Sequence, residues 1–328
     1  MGMTLTEKLL ARAAGATDVV PGTSVLARVD VLMTHDVCGP GTIGVFQREF
    51  GADARVFDAE RVVIIPDHYI FTADSRSNRN VDILREFVRA QGIRYFYDVI
   101  DDPQGQWRYD PARGIALAQY GTRYAGVCHI ALPERGHTWP GEVLVGTDSH
   151  TCTAGAFNQF ATGIGNTDAA FVMGTGRILL RVPETMRWDL TGALPAGVMA
   201  KDVILQLIGD IGFDGATYRA LEFGGPGLTS LTIEDRMTIA NMGIEAGAKN
   251  AVFEADARLR DFVDERGRAN GTTRPYTTVA PDADATYVYR RALDLSALEP
   301  VVALHPDPAN RAAARDCGDV RLDRAYIG

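Results

Sequence analysis

Short apolar runs that end in an acid and a histidine constrain the fold of this chain more than any other feature. One run is followed by Asp148 and His150, and another, rich in β-branched residues, is followed by Asp67 and His68. Continuous apolar runs of this length are typical of parallel strands that are covered on both faces. They therefore predict an α/β fold with mainly parallel sheets.

The histidines of the chain are concentrated behind such runs. Of six histidines, four follow an apolar piece: His35, His68, His129 and His150. A single histidine after a strand is most often a structural hydrogen-bonding residue, and an Asp or Ser there often bonds its own backbone in a turn. Ligands bind outside the carboxyl ends of the strands in open α/β sheets. Four of six in this setting therefore indicate one shared acid/base site.

Length and charge restrict the class of protein. A chain of 328 residues predicts two or three domains. The net charge of −9 and the absence of a basic run argue against nucleic acid as a partner. No apolar stretch approaches the roughly 18 residues of a membrane span, and the N-terminus lacks the features of a secretory signal. Four cysteines without C-x-x-C spacing suggest reduced thiols, so we expect a cytoplasmic protein with no membrane contact.

Helix and strand signals place these residues on elements. A capping box at residues 4–7 predicts a helix that ends at Gly15. Residues 25–33 predict one strand, residues 42–50 a short helix, and Asn80 the cap of a longer helix. Glycine and proline between the strand and the short helix suggest a tight turn over a pocket.

The second half of the chain carries one further candidate pair. Thr232 is predicted to cap a helix on which Asn241 and Glu245, four residues apart, share a face. This face could equally be a solvated stripe. Residues 267–285 predict a mobile connection, and the polar segment 101–124 could lie over the site or at an interface.

Several motifs occur together in one order along nearly the whole chain. They are Asp67-His68, 127–134, 146–153, 201–205, 214–222 and 241–248. In this order they resemble the aconitase superfamily, most closely the large subunits of 3-isopropylmalate dehydratases. The resemblance implies three-layer α/β/α domains, divided here into residues 1–182, residues 183–298 and an incomplete third domain from residue 299.

The resemblance also implies a reaction. Members of the family move the hydroxyl group of a 2-hydroxy-diacid to the neighbouring carbon by dehydration and rehydration, here most closely 2-isopropylmalate to 3-isopropylmalate in leucine biosynthesis. A [4Fe–4S] cluster acts as the Lewis acid. In the split enzymes, a small subunit carries the swivelling domain and the serine base.

The catalytic roles transfer to matching positions in this chain. Asp67 and His68 resemble the pair that protonates the departing hydroxyl, and Asp148 resembles the carboxylate that pairs with His129 and raises its pKa. His150 and Glu245 complete the expected catalytic set. The substrate-binding and cluster-side positions are His35, Ser149 and Asn241: Ser149 acts with His150 on the substrate carboxylate and iron-bound water, and Asn241 lies with Glu245 beside the cluster.

The cysteines depart from the family pattern. None of the cysteines at positions 38, 128, 152 and 317 matches a cluster ligand, and the sequence stops at Gly328, before the family's Ser-Cys-Thr phrase. We therefore expect a truncated large subunit that holds no cluster and is inactive alone.

Three alternatives stay open at this point. The substrate could be homoaconitate, 2,3-dimethylmalate or another alkylmalate. The residues Asp67, His68, His129 and His150 could instead bind zinc in a mononuclear metallohydrolase. The chain could also be a non-catalytic interaction module.

Overall fold

The computed structural model describes residues 2–70, 74–99 and 124–326, so the segment 101–124 falls outside the described residues except for its last residue. The α-helices are α1 Leu5–Ala14, α2 Gly39–Phe50, α3 Ser75–Gln91, α4 Cys128–Glu134, α5 Asn166–Thr175, α6 Ala200–Ile211, α7 Ile233–Asn241 and α8 Ala257–Asn270. Within the described ranges, no helix has the length and apolarity needed to cross a membrane.

The strands form two parallel sheets and two antiparallel ribbons. They are β1 Ser24–Arg28, β2 Val31–Thr34, β3 Val62–Ile64, β4 Tyr95–Phe96, β5 Val143–Gly146, β6 Phe160–Gly163, β7 Arg177–Arg181, β8 Thr185–Thr191, β9 Ala220–Gly224, β10 Asn250–Phe253, β11 Tyr289–Asp294, β12 Val301–Ala303 and β13 Arg311–Ala313. Short 3₁₀ helices include Ser149–Phe157 and Met242–Ala246.

The first sheet has the strand order β4-β3-β2-β5-β6, and its pairs are parallel. Successive side chains point to opposite faces of a strand. On β5, Val143 and Val145 therefore join the apolar core that contains α1, α2 and α3, while Leu144 joins a smaller core with α4. The sheet is covered on both faces, which confirms the prediction made from the continuous apolar runs.

The second sheet has the order β10-β9-β8-β11 and is also parallel. One face packs against α6, α7 and α8 through a separate apolar cluster that includes Trp188 and Phe223. The other face carries Arg187 and the fully buried Glu222, which are joined by an ion pair of 2.9 Å. Glu222 also accepts the backbone N–H of Leu5, so the start of α1 is fastened to this sheet.

The 3₁₀ helix Ser149–Phe157 connects the two sheets. A Cβ atom added at Gly155 would lie 1.9 Å from the backbone oxygen of Ala251, so only glycine permits this approach to β10. Asn250, also on β10, accepts the backbone N–H of Ala161 on β6 at 3.1 Å. The carboxyl end of the first sheet is thereby held against elements of the second.

Some predicted element boundaries were wrong. The expected strand over 25–33 is two strands in different sheets, because Asp30 interrupts it and accepts the N–H of Val143. The expected turn before residue 42 is the first turn of α2, with Pro40 where a missing N–H costs nothing. The longer helix starts at Ser75 and is capped by Asp74 rather than by Asn80.

Candidate active site

The site lies where the strand order of the first sheet reverses. The chain proceeds from β2 outward through β3 to β4 and then returns to the other side of β2 with β5. A crevice opens at such a switch point, outside the carboxyl ends of the strands. Thr34 at the end of β2 and Thr147 after β5 join across it through their hydroxyl groups at 2.9 Å. The residues that follow β2, β3 and β5 therefore converge.

Asp67 and His68 form a close pair after β3. Asp67 Oδ1 lies 2.6 Å from His68 Nδ1, and Asp67 Oδ2 accepts the backbone N–H of Cys128 at 2.6 Å. The Asp67 side chain is 2% exposed and that of His68 is 35% exposed. The carboxylate is thus buried behind the imidazole, which faces the crevice.

Asp148 is the centre of the site. Its Oδ1 atom lies 2.7 Å from His129 Nε2 and accepts the backbone N–H of His150 at 2.8 Å, while its Oδ2 atom lies 3.4 Å from His68 Nε2. The ring of His150 is also near, with its Nδ1 atom 3.7 Å from Asp148 Oδ1. Three imidazoles that come from separate segments therefore surround one carboxylate. The expected pairing of Asp148 with His129 is present as a hydrogen bond.

Contacts within the site lower the pKa of Asp148 and raise the pKa values of His68 and His150. Burial alone would raise the pKa of Asp148, but its bonds to His129 and His150 hold that pKa well below its usual range. Burial alone would lower the pKa of His68, but the bond to Asp67 and the nearby carboxylates outweigh it and raise that pKa. The bond to Asp148 is the largest cause that raises the pKa of His150. The site therefore favours an ionised acid beside two protonated imidazoles.

Glu245 approaches from the second sheet region. It belongs to the 3₁₀ helix Met242–Ala246, and its Oε1 atom lies 3.3 Å from His150 Nε2. On the other edge of that ring, Ser149 Oγ lies 3.0 Å from His150 Nδ1. His150 is therefore held between a hydroxyl and a carboxylate.

Asn241 is linked to His150 through Thr153. Its side-chain amide donates to Thr153 Oγ1 at 2.9 Å, and that hydroxyl donates to the backbone oxygen of His150 at 2.6 Å. One helix was expected to carry both Asn241 and Glu245, but α7 ends at Asn241 and a 3₁₀ turn follows, because the glycine at 243 and the close packing on Ala251 favour a tighter turn.

His35 contacts the site through its ring face. It stacks on His68 with the ring centroids 4.1 Å apart and the planes at 16°. The residue is 2% exposed, and its Nε2 atom is buried without a hydrogen-bond partner in the described structure. Burial, followed by the repulsion of His68, lowers the pKa of His35, so this ring is the neutral member of the stack.

The prediction for His129 was wrong: this residue was expected to follow a strand, but it lies in the first turn of α4, which starts at Cys128. A short apolar run does not separate a strand from a helix, and Pro133 inside α4 further obscured the helical pattern. The nine predicted site residues nevertheless gather around the crevice after β2, β3 and β5, with Asn241 in contact through Thr153.

Sequence reasoning missed Asp36. This fully buried residue accepts the backbone N–H groups of Asp67, His68 and Tyr69 at 2.9, 3.0 and 2.6 Å. The available signal was its place directly after β2, in the same setting as the acids after β3 and β5.

One group of side chains in the described structure has metal-binding atoms within 4.8 Å of one another: His35, Asp36, Asp67 and His68. This is not the set of Asp67, His68, His129 and His150 predicted for zinc. Asp36 already receives three backbone N–H groups, and Asp67 receives Cys128 N–H and His68 Nδ1. Since these lone pairs are engaged, the group is a poor cage for a cation.

The cysteines do not form a set of cluster ligands. All four are free thiols in the described ranges, and the metal-binding group above contains none of them. Burial raises the pKa of Cys152 to about 12 and also raises the pKa of Cys128, which disfavours the thiolate needed for ligation. These residues therefore do not form the thiolate set of a [4Fe–4S] cluster.

Comparison with known proteins gives a family match and long relatives. The model of the aconitase family (aconitate hydratase) matches residues 7–322. The chain is 56% identical over its whole length to the chloroplastic 3-isopropylmalate dehydratase large subunit of Arabidopsis thaliana, of which it covers 61%. It is 42% identical to the 3-isopropylmalate dehydratase large subunit 1 of Methanopyrus kandleri, again over its whole length, and covers 71% of it.

A third relative carries a different name. The chain is 41% identical to the probable methanogen homoaconitase large subunit of Methanothermobacter thermautotrophicus. The match includes 99% of this chain and 70% of the relative. The chain thus spans between 61% and 71% of the length of these three curated relatives.

Proposed function

The chain belongs to the aconitase family, and we propose that it is part of a hydro-lyase that isomerises a 2-hydroxy-diacid by dehydration and rehydration. The proposed reaction is 2-isopropylmalate to 3-isopropylmalate, in leucine biosynthesis. One observation carries the proposal: Asp148 is surrounded by His68, His129 and His150 at the switch point of a parallel sheet. Dehydration needs a proton for the departing hydroxyl, and this arrangement raises the pKa of His68 and of His150, which favours imidazoles that carry a proton to donate.

His68 is the proposed proton donor to the departing hydroxyl. Asp67 engages its Nδ1 atom at 2.6 Å, whereas its Nε2 atom has only the longer contact of 3.4 Å with Asp148. The Nε2 proton is therefore the one available to a substrate oxygen. Asp67 favours the protonated ring before donation, and afterwards it favours the return of a proton from solvent to Nε2.

The other site residues receive proposed roles from their contacts. Asp148 holds His129 and the backbone of His150, so it fixes the positions of two imidazoles. Ser149 and His150 are proposed to bind a substrate carboxylate and water, with Glu245 as the acid that orients His150.

Two positions are proposed to act around this centre. Asn241 supports the backbone of His150 through Thr153. His35 offers an unpartnered, buried Nε2 atom as a contact to the substrate.

The aconitase family implies a [4Fe–4S] cluster in its full-length enzymes, which supplies a Lewis acid for the hydroxyl and a carboxylate of the substrate. Because the four cysteines of this chain do not assemble its ligands, we propose that the thiolates come from sequence that the longer relatives have in addition.

The names of the relatives support a partner subunit. Two of the relatives are named as dehydratase large subunits, so we propose a small subunit as the partner of this chain, carrying the swivelling domain and the serine base.

We also propose domains over residues 1–182 and 183–298 and a third from residue 299, which agrees with the separation of the two parallel sheets along the chain. Four free cysteines favour a cytoplasmic location.

The test is turnover by the complete enzyme, purified anaerobically with its small subunit. Dehydration of 2-isopropylmalate is followed by the absorbance of the unsaturated diacid. His68→Ala should lower kcat by about a hundredfold, as for a lost proton donor. His305→Ala, which changes an exposed histidine outside the crevice, should leave kcat unaltered. Normal turnover by His68→Ala would remove His68 from the proposed role.

The substrate has one supported alternative, since one relative is named as a homoaconitase. Homoaconitate is already unsaturated, so its hydration is followed by the loss of the same absorbance, whereas 2,3-dimethylmalate is dehydrated as in the first assay. The values of kcat/KM are then compared among these acids of different length and branching. A higher kcat/KM for homoaconitate than for 2-isopropylmalate would make homoaconitate the substrate in place of 2-isopropylmalate, within the same reaction class.

A further inference from the structure

We propose that Asp36 is a positioning residue that fixes the Asp67–His68 pair in the crevice. The catalytic consequence of this role rests on the proposed function, whereas the structural role does not. Asp36 itself is fully buried, so it acts through its neighbours and not on the substrate.

Asp36 fastens three successive backbone amides. Its Oδ1 atom accepts the N–H groups of Asp67 at 2.9 Å and His68 at 3.0 Å, and its Oδ2 atom accepts that of Tyr69 at 2.6 Å. Both oxygens of one carboxylate are thus used on one short segment more than 30 residues away in sequence. Hydrogen bonds to an ionised acceptor are stronger than those to a neutral one.

Regular backbone bonding stops just before the pair. Ile65 N–H still donates to the backbone oxygen of Thr34 at 3.0 Å, but residues 66–70 lie outside the helices and strands of the described structure. The side chain of Asp67 is next held by Cys128 N–H, and its other oxygen holds His68. The orientation of His68 therefore depends on a continuous series of contacts that begins at Asp36.

A metal-ligand role fits Asp36 less well. Its oxygens lie within the group of four side chains that could surround a cation. A bound cation would have to displace N–H groups that are already at hydrogen-bond distance from both oxygens. Positioning explains the three backbone hydrogen bonds that this carboxylate accepts.

The experiment compares Asp36→Asn with Asp30→Asn in the complete enzyme. Asp30 is the control at the opposite end of β2: it is 4% exposed, accepts the N–H of Val143 at 3.0 Å and pairs with Arg28 and Arg61, not with residues 67–69. Asparagine has the shape of aspartate but one acceptor oxygen, so Asp36→Asn turns an N–H donor toward at least one of the three amides. Asp36→Ala removes all three bonds, and Asp36→Asn carries the test where the alanine variant does not fold.

Three measurements are made on each variant. Hydrogen exchange at the amides of residues 67–69 reports the backbone contacts, and the downfield ring N–H proton signal of His68 reports its bond to Asp67. The third is the separation of kcat from KM. For Asp36→Asn we expect faster amide exchange, loss or upfield movement of the ring signal, and a kcat lowered about tenfold or more with KM changed less, since misplacement by about 1 Å can cost 10²-fold. Asp30→Asn should leave all three unaltered.

Each opposite result overturns the proposal. The amides of residues 67–69 in the unaltered protein must be protected, and exchange at unprotected rates would already refute the contacts. Normal amide exchange and a normal His68 ring signal in Asp36→Asn would refute the positioning role. Equal losses of kcat in Asp36→Asn and Asp30→Asn would also refute it. Turnover of no diacid by the unaltered enzyme would contradict the proposed function alone, because the amide and ring measurements need no substrate.

Discussion

The bond between Asp67 and His68 should contribute most to folding stability while His68 is protonated. The pair is 2.6 Å apart, with the carboxylate 2% exposed and the imidazole 35% exposed. A hydrogen bond to a charged group contributes roughly 1.5–3 kcal/mol when buried, and an exposed ion pair about 0–1 kcal/mol. Because one partner is buried and the other is partly screened by solvent, we expect a coupling free energy of about 1.5 kcal/mol.

The sign of its pH dependence follows from the direction of the pKa shift. The pKa of His68 is raised in the folded protein from its ordinary value of 6.5, since the contact with Asp67 outweighs burial. A raised folded-state pKa gives a contribution that is fully present below the unfolded pKa. That contribution is lost as the pH rises through the folded-state value. The coupling should therefore be complete below 6.5 and decrease above it.

A double-mutant cycle measures this coupling. Asp67→Asn, His68→Gln and the double variant are unfolded with urea at a series of pH values. The coupling free energy is the change in unfolding free energy of the double variant minus the sum of the changes of the two single variants. Gln cannot be protonated, so it isolates the charge-dependent part of the interaction. A coupling near zero below pH 6.5, or one that stays constant across the series, would refute the assignment of the proton to His68.

Two other expectations concern neighbouring positions. Asp148→Asn should lower the pKa of His150, because the bond to Asp148 is the largest cause of its elevation, and an NMR titration of the ring measures the shift. Gly155→Ala should destabilise the protein by about 1–3 kcal/mol in urea unfolding, since its Cβ would meet the backbone oxygen of Ala251. Gly44→Ala, in a helix and with open space around it, should stabilise by about 0.5–1 kcal/mol, and equal effects of the two alanines would contradict the packing argument.

The parallel sheet was predictable from sequence because burial on both faces leaves a direct trace. The residues of β5 are apolar whichever face they join, so the run is continuous and its end is marked by Gly146. The polar residues after β3 and β5 could then be placed at one edge. This is why Asp67, His68 and Asp148 were identified together before any geometry was known.

The remaining features depend on contacts that no local pattern records. His129 reaches Asp148 from a helix of seven residues, too short to show a helical period. Asp36 looked like an ordinary loop acid because its three partners are backbone amides, which every sequence contains. The joining of Glu245 to His150 depends on the packing of two sheets that are distant in sequence.

The stacked histidines give the site an order of protonation. The rings of His35 and His68 are 4.1 Å apart, and a charge on one disfavours a charge on the other. Burial lowers the pKa of His35, whereas Asp67 raises that of His68, so a positive charge on the stack is favoured on His68. Loss of a proton from His68 to a substrate would relieve the repulsion that His35 experiences. Groups whose environments push their pKa values apart divide acid and base roles. The stack therefore supports the proposal that His68 is the proton donor and that His35 is a neutral contact.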